Sequence, residues 1–325
     1  MRKLVFYGLS IVFIPFFLLG FFTYMLPVLL VRGKVSGTTY EPFNARLQWE
    51  LLGLREDWAA RMLARGLPAT NLITRIMIFR LLALICRVSG YISPPLDYPA
   101  PDPKALSSMV AVRTEFFDRV MSESIKENSQ VVIMGAGWDT RAYGLLANRK
   151  LKIFEVDEPA TQQVKLQALK RANINFDDVS FASCDFNQEN WLNKLEQQGF
   201  DRTKPTFLLW EGVSMYLDEN AVNEFLSAVS ALPEGSLIAF DFLPEHWWNN
   251  TKLGEKATKS ISVTYGEKFT YFISEEGGLE ASLQSLLDKH QLTIEDRIIQ
   301  RLDGDEPDCI YGMVLASSKG PSKVD

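Results

Sequence analysis

Hydrophobic and polar residues follow two different patterns along the chain. In the first, Leu4 to Val31 form a stretch without a charged residue. In the second, which begins near Lys104, apolar runs of strand length alternate with amphipathic stretches of helix length. This alternation predicts a doubly wound, mostly parallel α/β sheet, because each return to a parallel strand needs a crossover connection.

The predicted strands are apolar runs with few polar interruptions. Val131 to Met134 lead directly into a pair of spaced glycines, which predicts a buried parallel strand and a tight turn. Further parallel strands are predicted in LKIFEVD, VSFASCDF, PTFLLWEGVSMYL and SLIAFDFL, with helices between them. The last run, CIYGMVLASS, predicts an antiparallel edge strand.

The uncharged N-terminal stretch predicts a tilted membrane anchor. Its 28 residues would reach roughly 40 Å as a helix, more than the roughly 30 Å of a hydrocarbon core. A cleaved signal peptide and a buried core helix are the alternatives, although a signal peptide usually has a shorter apolar core. Basic residues follow the stretch at Arg32, Lys34 and Arg46, which favours a single-pass protein with a cytoplasmic main domain.

A second helical region precedes the α/β domain. Residues 41–91 are predicted to be helical, and Arg75, Arg80 and Arg87 interrupt the apolar part of this region. Three arginines argue against a second membrane span, so an interfacial helix and packing onto the domain remain the two possibilities. A proline-rich linker follows at 93–103. We therefore predict a membrane anchor at 1–34, a helical cap and linker at 35–103, and a catalytic domain at 104–325.

Charge and cysteine content exclude several classes of function. The net charge of -6 argues against a nucleic-acid partner. Cys86, Cys184 and Cys309 are far apart and odd in number, so we predict neither a disulfide framework nor a metal site.

The candidate ligand site begins at the glycine turn. Gly135 and Gly137 follow the first strand, and we predict a helix directly after them with Asp139 or Thr140 as its cap. The third glycine of a dinucleotide fingerprint is replaced by Thr140, which disfavours a pyrophosphate ligand. Asp157 lies twenty residues after Gly137, where a carboxylate can bind both hydroxyls of a ribose. The alternative is that Asp157 only caps the next helix.

Three carboxylates end three different predicted strands. Asp157, Asp185 and Glu211 should therefore gather at one edge of the sheet beside the glycine turn. Buried charges are costly without partners, so a cationic ligand rich in hydroxyl groups is the expected occupant. S-adenosyl-L-methionine has this chemistry, and its single carboxylate needs one cation such as Arg113.

The same residues resemble those of a known family. VAVRTEFFDRV, VVIMGAGWDTRAY, FEVDEP, the pair Asp185-Phe186 and LLWEGVSMYL are similar to motifs of the leucine carboxyl methyltransferases, over roughly Lys104 to Asp241. The resemblance implies a class I methyltransferase fold of Rossmann-like type with S-adenosyl-L-methionine as cofactor. It also implies a role for each motif residue: Arg113 binds the methionine carboxylate, Gly135 and Gly137 line the methionine, Asp157 holds the ribose, Asp185 and Phe186 contact adenine, and Glu211 receives the ammonium group.

The sequence also suggests what is methylated. We expect an oxygen acceptor, most simply a carboxylate of a protein or small molecule, which is already ionised at neutral pH and needs no general base. His246 and Tyr216 are the candidate acceptor-pocket residues, whereas His290 is predicted at an exposed helix end. A non-catalytic cofactor-binding protein on the same fold and an NAD-dependent oxidoreductase are the alternatives.

Overall fold

A seven-stranded sheet forms the centre of the molecule. The computed structural model describes residues 1–126, 129–302 and 308–320. The strands are β1 (Gln130–Met134), β2 (Lys152–Asp157), β3 (Val179–Ser183), β4 (Thr206–Trp210), β5 (Leu237–Phe242), β6 (Leu292–Arg301) and β7 (Cys309–Ser318). Their order in the sheet is β3-β2-β1-β4-β5-β7-β6. Strands β1 to β5 are parallel, and β7 runs antiparallel to β5 and β6. The predicted doubly wound, mostly parallel α/β sheet is confirmed.

Helices cover both faces of this sheet. Successive side chains of β1 alternate between two hydrophobic clusters, with Val131 and Ile133 in one and Val132 and Met134 in the other. The helices are α1 (Arg2–Val12), α2 (Ile14–Leu30), α3 (Tyr40–Leu52), α4 (Trp58–Leu63), α5 (Leu72–Thr74), α6 (Leu81–Ser89), α7 (Met109–Ser124), α8 (Pro159–Ala172), α9 (Trp191–Gln197), α10 (Glu219–Ser230), α11 (Glu245–Asn250), α12 (Lys252–Tyr265) and α13 (Leu279–Lys289).

The N-terminal apolar stretch forms two helices instead of the single one that we predicted. α1 and α2 meet at Phe13 with a bend of 62°. Pro15 explains the break, because it lacks an amide hydrogen and its ring clashes with the carbonyl of the residue four positions earlier. Within residues 1–126, 129–302 and 308–320, no single helix is long and apolar enough to cross a membrane, and only the bent pair could do so by length and composition.

The predicted helical cap is helical, and it packs directly on the α/β domain. A π-helical segment, Arg75–Arg80, joins α5 to α6. Tyr40, Phe43 and Leu47 of α3 belong to the same hydrophobic cluster as Val131 of β1 and Tyr311 of β7. The cap therefore shares a core with the α/β domain.

Three local predictions were wrong. Residues 141–149 form consecutive turns instead of a helix, since Arg141 binds Asp139 and Asn148 adopts a positive φ of 64°. The edge strand beyond β5 is β6, and β7 lies between them. His290 is buried instead of exposed, because its ring nitrogens bond to side chains of α10 at 3.0 Å and 2.9 Å.

Candidate active site

The glycine turn after β1 is closely covered on two sides. Gly135 and Gly137 have φ values of +59° and +39°, a region that side chains other than hydrogen disfavour. A Cβ atom would lie 2.3 Å from Val213 Cγ2 at Gly135 and 2.6 Å from Thr39 Cγ2 at Gly137. Both positions therefore require glycine, and Thr39 brings the cap against the turn.

A cavity opens beside this turn, at the carboxyl ends of β1 and β4. It contains about 940 Å³ of empty space, including its open mouth. Five of the predicted site residues line it, namely Arg113, Gly135, Gly137, Glu211 and Tyr216. The parallel sheet and α7 bring these five together from separate segments of the chain.

Glu211 is held at this cavity by three guanidinium groups. Its carboxylate lies 2.9 Å from Arg113 Nε, 2.6 Å from Arg141 Nη1 and 3.3 Å from Arg46 Nη2. Burial acts to raise the pKa of Glu211, but the three positive charges outweigh burial and lower the pKa below its ordinary value. Glu211 is therefore an anion at neutral pH.

Arg46 and Arg141 were not assigned to the site from the sequence. Arg141 is fully buried and also binds Asp139 and Asp118. Because Arg141 lies within the motif VVIMGAGWDTRAY, the sequence could have assigned it to the site. Arg46 lies in the cap and also binds Asp139, at 3.3 Å. It is far from the glycine turn in sequence, so no motif could have assigned it to the site.

A second acid lies behind Arg113. Tyr311 donates to Asp241, and Arg113 Nη1 donates to the Tyr311 hydroxyl at 3.0 Å. Burial raises the pKa of Asp241 to about 6, against the opposing charge of Arg113. Arg113, the predicted carboxylate-binding arginine, is thus held by Glu211 directly after β4, by Asp241 of β5 and by Tyr311 of β7.

Apart from Arg113 Nε, which makes no hydrogen bond but lies 2.9 Å from the Glu211 carboxylate, two donors in the cavity wall lack an acceptor among the described residues. They are Arg46 Nε and Trp138 Nε1, both buried. Buried donors are normally paired, so an anionic or hydroxyl-bearing ligand would satisfy a need that the described residues leave open.

Asp157 lies at the end of β2 and outside the cavity lining. Its carboxylate accepts hydrogen bonds from the amides of Gly137 and Glu158. Burial raises the pKa of Asp157 to about 7, although the Gly137 amide and the nearby charge of Lys165 oppose this increase. Lys165 is itself buried, 2.6 Å from Glu155, and donates to the Ala136 carbonyl under the glycine turn.

Asp185 and Phe186 also lie outside the cavity lining. Asp185 follows β3 and accepts from the amide of Asn187, and Phe186 packs, half-buried, on the hydrophobic cluster of one sheet face. Because β3, β2 and β1 are neighbours in the sheet, both residues remain at the carboxyl edge where the sequence placed them.

The side of the cavity facing away from β2 is aromatic. The Tyr216 and Phe269 rings lie 5.2 Å apart, and Trp248 meets Phe269 edge-on at 5.3 Å. The Tyr216 hydroxyl donates to Thr38 Oγ1 at 3.1 Å, and Thr38 in turn donates to Glu267 at 2.5 Å. Thr38, Glu267 and Phe269 were not predicted from the sequence.

His246 does not reach this cavity. It is exposed on α11, and it lines a separate shallow depression with Glu245 and Glu275. Trp248, two positions later on the same helix, lines the cavity instead. In the part of the chain that the structure describes, no group of three or more His, Cys, Asp or Glu side chains is arranged to hold a metal ion.

Comparison with known proteins confirms the resemblance stated from the motifs. The family model described as leucine carboxyl methyltransferase matches residues 95–230. A protein of Mycobacterium avium (strain 104), provisionally named as an S-adenosyl-L-methionine-dependent methyltransferase, is 32% identical over 199 residues, which is 59% of each chain. A similarly named protein of Mycobacterium marinum (strain ATCC BAA-535 / M) is 30% identical over 153 residues, covering 46% of this chain and 51% of the relative.

The chain thus spans little more than half the length of these relatives. Among solved structures, geranyl diphosphate C-methyltransferase from Streptomyces coelicolor A3(2), in complex with Mg²⁺, geranyl diphosphate and S-adenosyl-L-homocysteine, aligns with a TM-score of 0.44 and 11% identity. That alignment covers 70% of this chain and 90% of the other. The similarity is distant.

Proposed function

We propose that this chain is an S-adenosyl-L-methionine-dependent methyltransferase that transfers a methyl group to an oxygen atom of its acceptor, preferably a carboxylate. The observation that carries the proposal is the pairing of Arg113 with Glu211 beside the glycine turn, 2.9 Å apart in one cavity wall. The family match over residues 95–230 supports the same cofactor.

The Arg113–Glu211 pair is complementary to the amino-acid end of the cofactor. A methionine carries a carboxylate and an ammonium group on one carbon, so a guanidinium and a carboxylate side by side can bind both groups. The unpaired Nε of Arg46 and Nε1 of Trp138 add two donors in the same wall. These residues fit an α-amino acid better than they fit a pyrophosphate.

The nucleoside half is assigned to the neighbouring strands. Asp157 would hold the ribose, and Asp185 with Phe186 would contact adenine. The order β3-β2-β1 supports this assignment, because it places these residues on the side of the glycine turn away from Glu211. The assignment requires the Asp157 carboxylate to accept from the ribose hydroxyls beside its bond to the Gly137 amide.

The aromatic side of the cavity would receive the acceptor. When bound, S-adenosyl-L-methionine would supply an electrophilic methyl group to the acceptor oxygen, with the neutral thioether S-adenosyl-L-homocysteine as the leaving group. The protein's part is to align the two partners and exclude water, and Tyr216, Trp248 and Phe269 form a wall suited to this task. A carboxylate acceptor is already ionised at neutral pH, so the exposed position of His246 is compatible with the reaction.

One observation favours a hydroxyl acceptor instead. The chain of hydrogen bonds from Tyr216 through Thr38 to Glu267 could carry a proton away from the cavity. A hydroxyl acceptor usually needs such a base, whereas a carboxylate does not.

The site of action is also part of the proposal. We propose that the N-terminal helices bring the enzyme to a membrane, with the catalytic domain on the cytoplasmic side. The basic residues Arg32 and Lys34 next to α2 support a position at the cytoplasmic leaflet, whose lipids are anionic.

The test is transfer of labelled methyl from the cofactor to a membrane-containing cell extract by the full-length chain. Release of the label by mild base would identify a methyl ester and thus a carboxylate acceptor. A base-stable label, lost in Tyr216→Phe and Glu267→Gln, would identify a hydroxyl acceptor. Calorimetry completes the test: binding of S-adenosyl-L-methionine without transfer to any extract would support the non-catalytic alternative, and binding of NAD instead would support the oxidoreductase.

A further inference from the structure

The N-terminal helices expose a continuous set of large apolar side chains, which we call the N-terminal apolar surface. It is formed by α1, α2 and the segment from α5 to α6. Its most exposed members are Leu4, Tyr7, Ile11, Val12, Leu18, Phe21, Phe22, Leu30, Leu72, Leu84 and Val88. Monomeric soluble proteins rarely expose apolar patches of this extent, and such patches usually mark a binding surface.

One stripe of α2 is fully buried inside the protein. Gly20, Tyr24 and Val28 are its buried residues, and they are spaced four positions apart. A Cβ atom on Gly20 would lie 2.7 Å from Ile78, so α2 lies very close to the π-helical segment. Phe17 and Met25 are partly buried against two hydrophobic clusters, most of the remaining α2 side chains are exposed, and none of them is charged.

The geometry of the helix pair suits a position in the membrane interface. With 11 and 17 residues, α1 and α2 would extend about 16 Å and about 25 Å, each less than the roughly 30 Å hydrocarbon core. Phe6 of α1 packs with Ile85 and Cys86 of α6, and α2 packs on the segment before α6. Straightening the bent pair into one span would break one of these two contacts.

The charges around the surface complement an anionic partner. Residues 1–40 and 58–96 contain nine Lys and Arg residues and no Asp or Glu, whereas the whole chain has a net charge of -6. Basic residues beside an apolar helix face are typical of helices that bind anionic membranes.

Four arginines line one small depression, and one of them, Arg61, pairs with Glu50 at 3.4 Å. The other three, Arg65, Arg75 and Arg80, line it together with Phe79. Within residues 1–126, 129–302 and 308–320, none of the three has a carboxylate within ion-pair distance, and Arg75 Nε is buried without an acceptor. Burial, with the charges of Arg65 and Arg80, lowers the pKa of Arg75. A phosphate group would relieve this repulsion and pair the buried donor.

We propose that the N-terminal apolar surface docks into one leaflet of an anionic phospholipid membrane without crossing it. α1 and α2 lie in the plane of the interface, and Arg65, Arg75 and Arg80 bind lipid phosphates. The occupant is a lipid leaflet because the surface combines apolar residues with flanking segments, 1–40 and 58–96, that contain Lys and Arg but no Asp or Glu.

Vesicle flotation of the full-length chain tests the lipid partner. We expect binding to vesicles of phosphatidylcholine mixed with phosphatidylglycerol, and weaker binding to phosphatidylcholine alone. Arg75→Gln/Arg80→Gln should remove most of this preference, while Arg297→Gln, an exposed arginine on β6, should not. Equal binding to both vesicle types by all variants would overturn the phosphate assignment.

Phe22→Asp tests the apolar part. Since burying a side chain of this size contributes about tenfold to a hundredfold in partitioning, we expect a loss of that order in vesicle binding. Leu253→Asp on α12, which is similarly exposed, is the matched control. If Phe22→Asp abolished self-association in solution but left vesicle binding unchanged, the surface would be an interface between two copies.

Labelling with a membrane-impermeant maleimide tests the topology. The native cysteines are buried, so Lys3→Cys and Lys34→Cys provide selective sites at the two ends of the helix pair. On sealed vesicles both should react from the side of the catalytic domain before detergent is added. Protection of Lys3→Cys until detergent is added would show that the pair spans the bilayer and would overturn the in-plane arrangement. Cofactor binding in detergent is measured in parallel and should be unchanged in all these variants. Failure of the membrane-docking proposal is thereby distinguished from failure of the methyltransferase proposal.

Discussion

Two regions of this molecule depart from the usual distribution of side chains in opposite directions. Around Glu211, charged side chains are buried, and along α2, apolar side chains are exposed. Each arrangement is costly in water unless a partner compensates. The buried charges mostly compensate one another and leave two donors for a ligand, whereas the exposed apolar residues have no partner within the described chain. The first region is therefore expected to depend on internal pairing, and the second on its surroundings.

The two regions meet at one seam. At the end of α2, Arg32 donates to the Ser262 carbonyl at 3.0 Å and the Gly33 amide to the Tyr265 carbonyl at 3.3 Å. Ile261, from the same part of α12, and Thr38 line the cavity. A partner bound at the N-terminal helices would therefore lie a few residues in sequence from Thr38 and next to the helix that carries Ile261. Both residues belong to the cavity.

The largest expected effect comes from breaking the buried charge network. Arg141→Met leaves Asp139, Asp118 and Glu211 without their shared partner, and removal of one member of a buried ion pair costs about 3–5 kcal/mol in the free energy of unfolding. Arg202→Met, on an exposed pair with Glu196, should change it by at most about 1 kcal/mol. Equal losses in denaturant unfolding would show that burial of the network has no special importance.

The next effect concerns the ligand, and because Arg113 also pairs with Glu211 in the buried network, unfolding is measured in parallel with binding. Arg113→Gln should weaken cofactor binding by roughly tenfold to a hundredfold, since it removes a charge-assisted hydrogen bond of about 1.5–3 kcal/mol. Arg119 lies on the same helix, has an exposed side chain and pairs with Asp296. Arg119→Gln is therefore the matched control for calorimetry. Unchanged affinity in Arg113→Gln would remove the central support for the methionine site.

A third substitution tests the packed stripe of the apolar region. Gly20→Ala places a methyl group against Ile78 and Met77, and overpacking of this kind typically costs about 1–3 kcal/mol. In Gly8→Ala on α1 the new Cβ has no neighbour within 4 Å, so its helix should be unchanged or stabilised by about 0.5–1 kcal/mol. Thermal unfolding in detergent compares the two, and a stabilised Gly20→Ala would mean that α2 does not pack against the π-helical segment.

A smaller effect is expected from pH. Burial raises the pKa of Asp157 to about 7, and ribose hydroxyls donate to its ionised form, so binding favours deprotonation. Affinity for the cofactor should be full above about pH 7 and fall by up to about tenfold per pH unit below it. Asp157→Asn should remove this dependence, whereas a slope that persists in the variant would assign the titration to another group. The value of kcat at saturating cofactor should stay flat between about pH 6 and 8 for a carboxylate acceptor.

The smallest effect is expected at His246, which is neither a buried charge nor an exposed apolar residue. His246→Gln should retain most of kcat, because the side chain lies outside the cavity lining. A loss of about a hundredfold would identify a general base and would require α11 to move when substrate binds.

The sequence by itself determined the sheet, the glycine turn and the alignment of carboxylates at strand ends. Apolar runs of strand length that alternate with helices are typical of a parallel sheet covered on both faces, and the carboxyl ends of parallel strands share one edge. Hence Gly135, Gly137 and Glu211 lie where the motifs predicted. Arg113 could be added because a family resemblance connected it to the same site.

The tertiary structure alone decided which side chains surround them. Arg46, Thr38 and Phe269 reach the cavity from the cap and from the segment after α12, and no local pattern marks a contact between residues so distant in sequence. Pro15 accounts for the bend between α1 and α2, but only the tertiary structure shows that Phe6 packs on α6 and Gly20 on the π-helical segment. Residues 141–149 have helix-compatible composition, but side-chain ion pairs with Asp139 and Glu211 hold Arg141 in a turn. Local propensity is worth a few tenths of a kcal/mol per residue, which a buried ion pair can override.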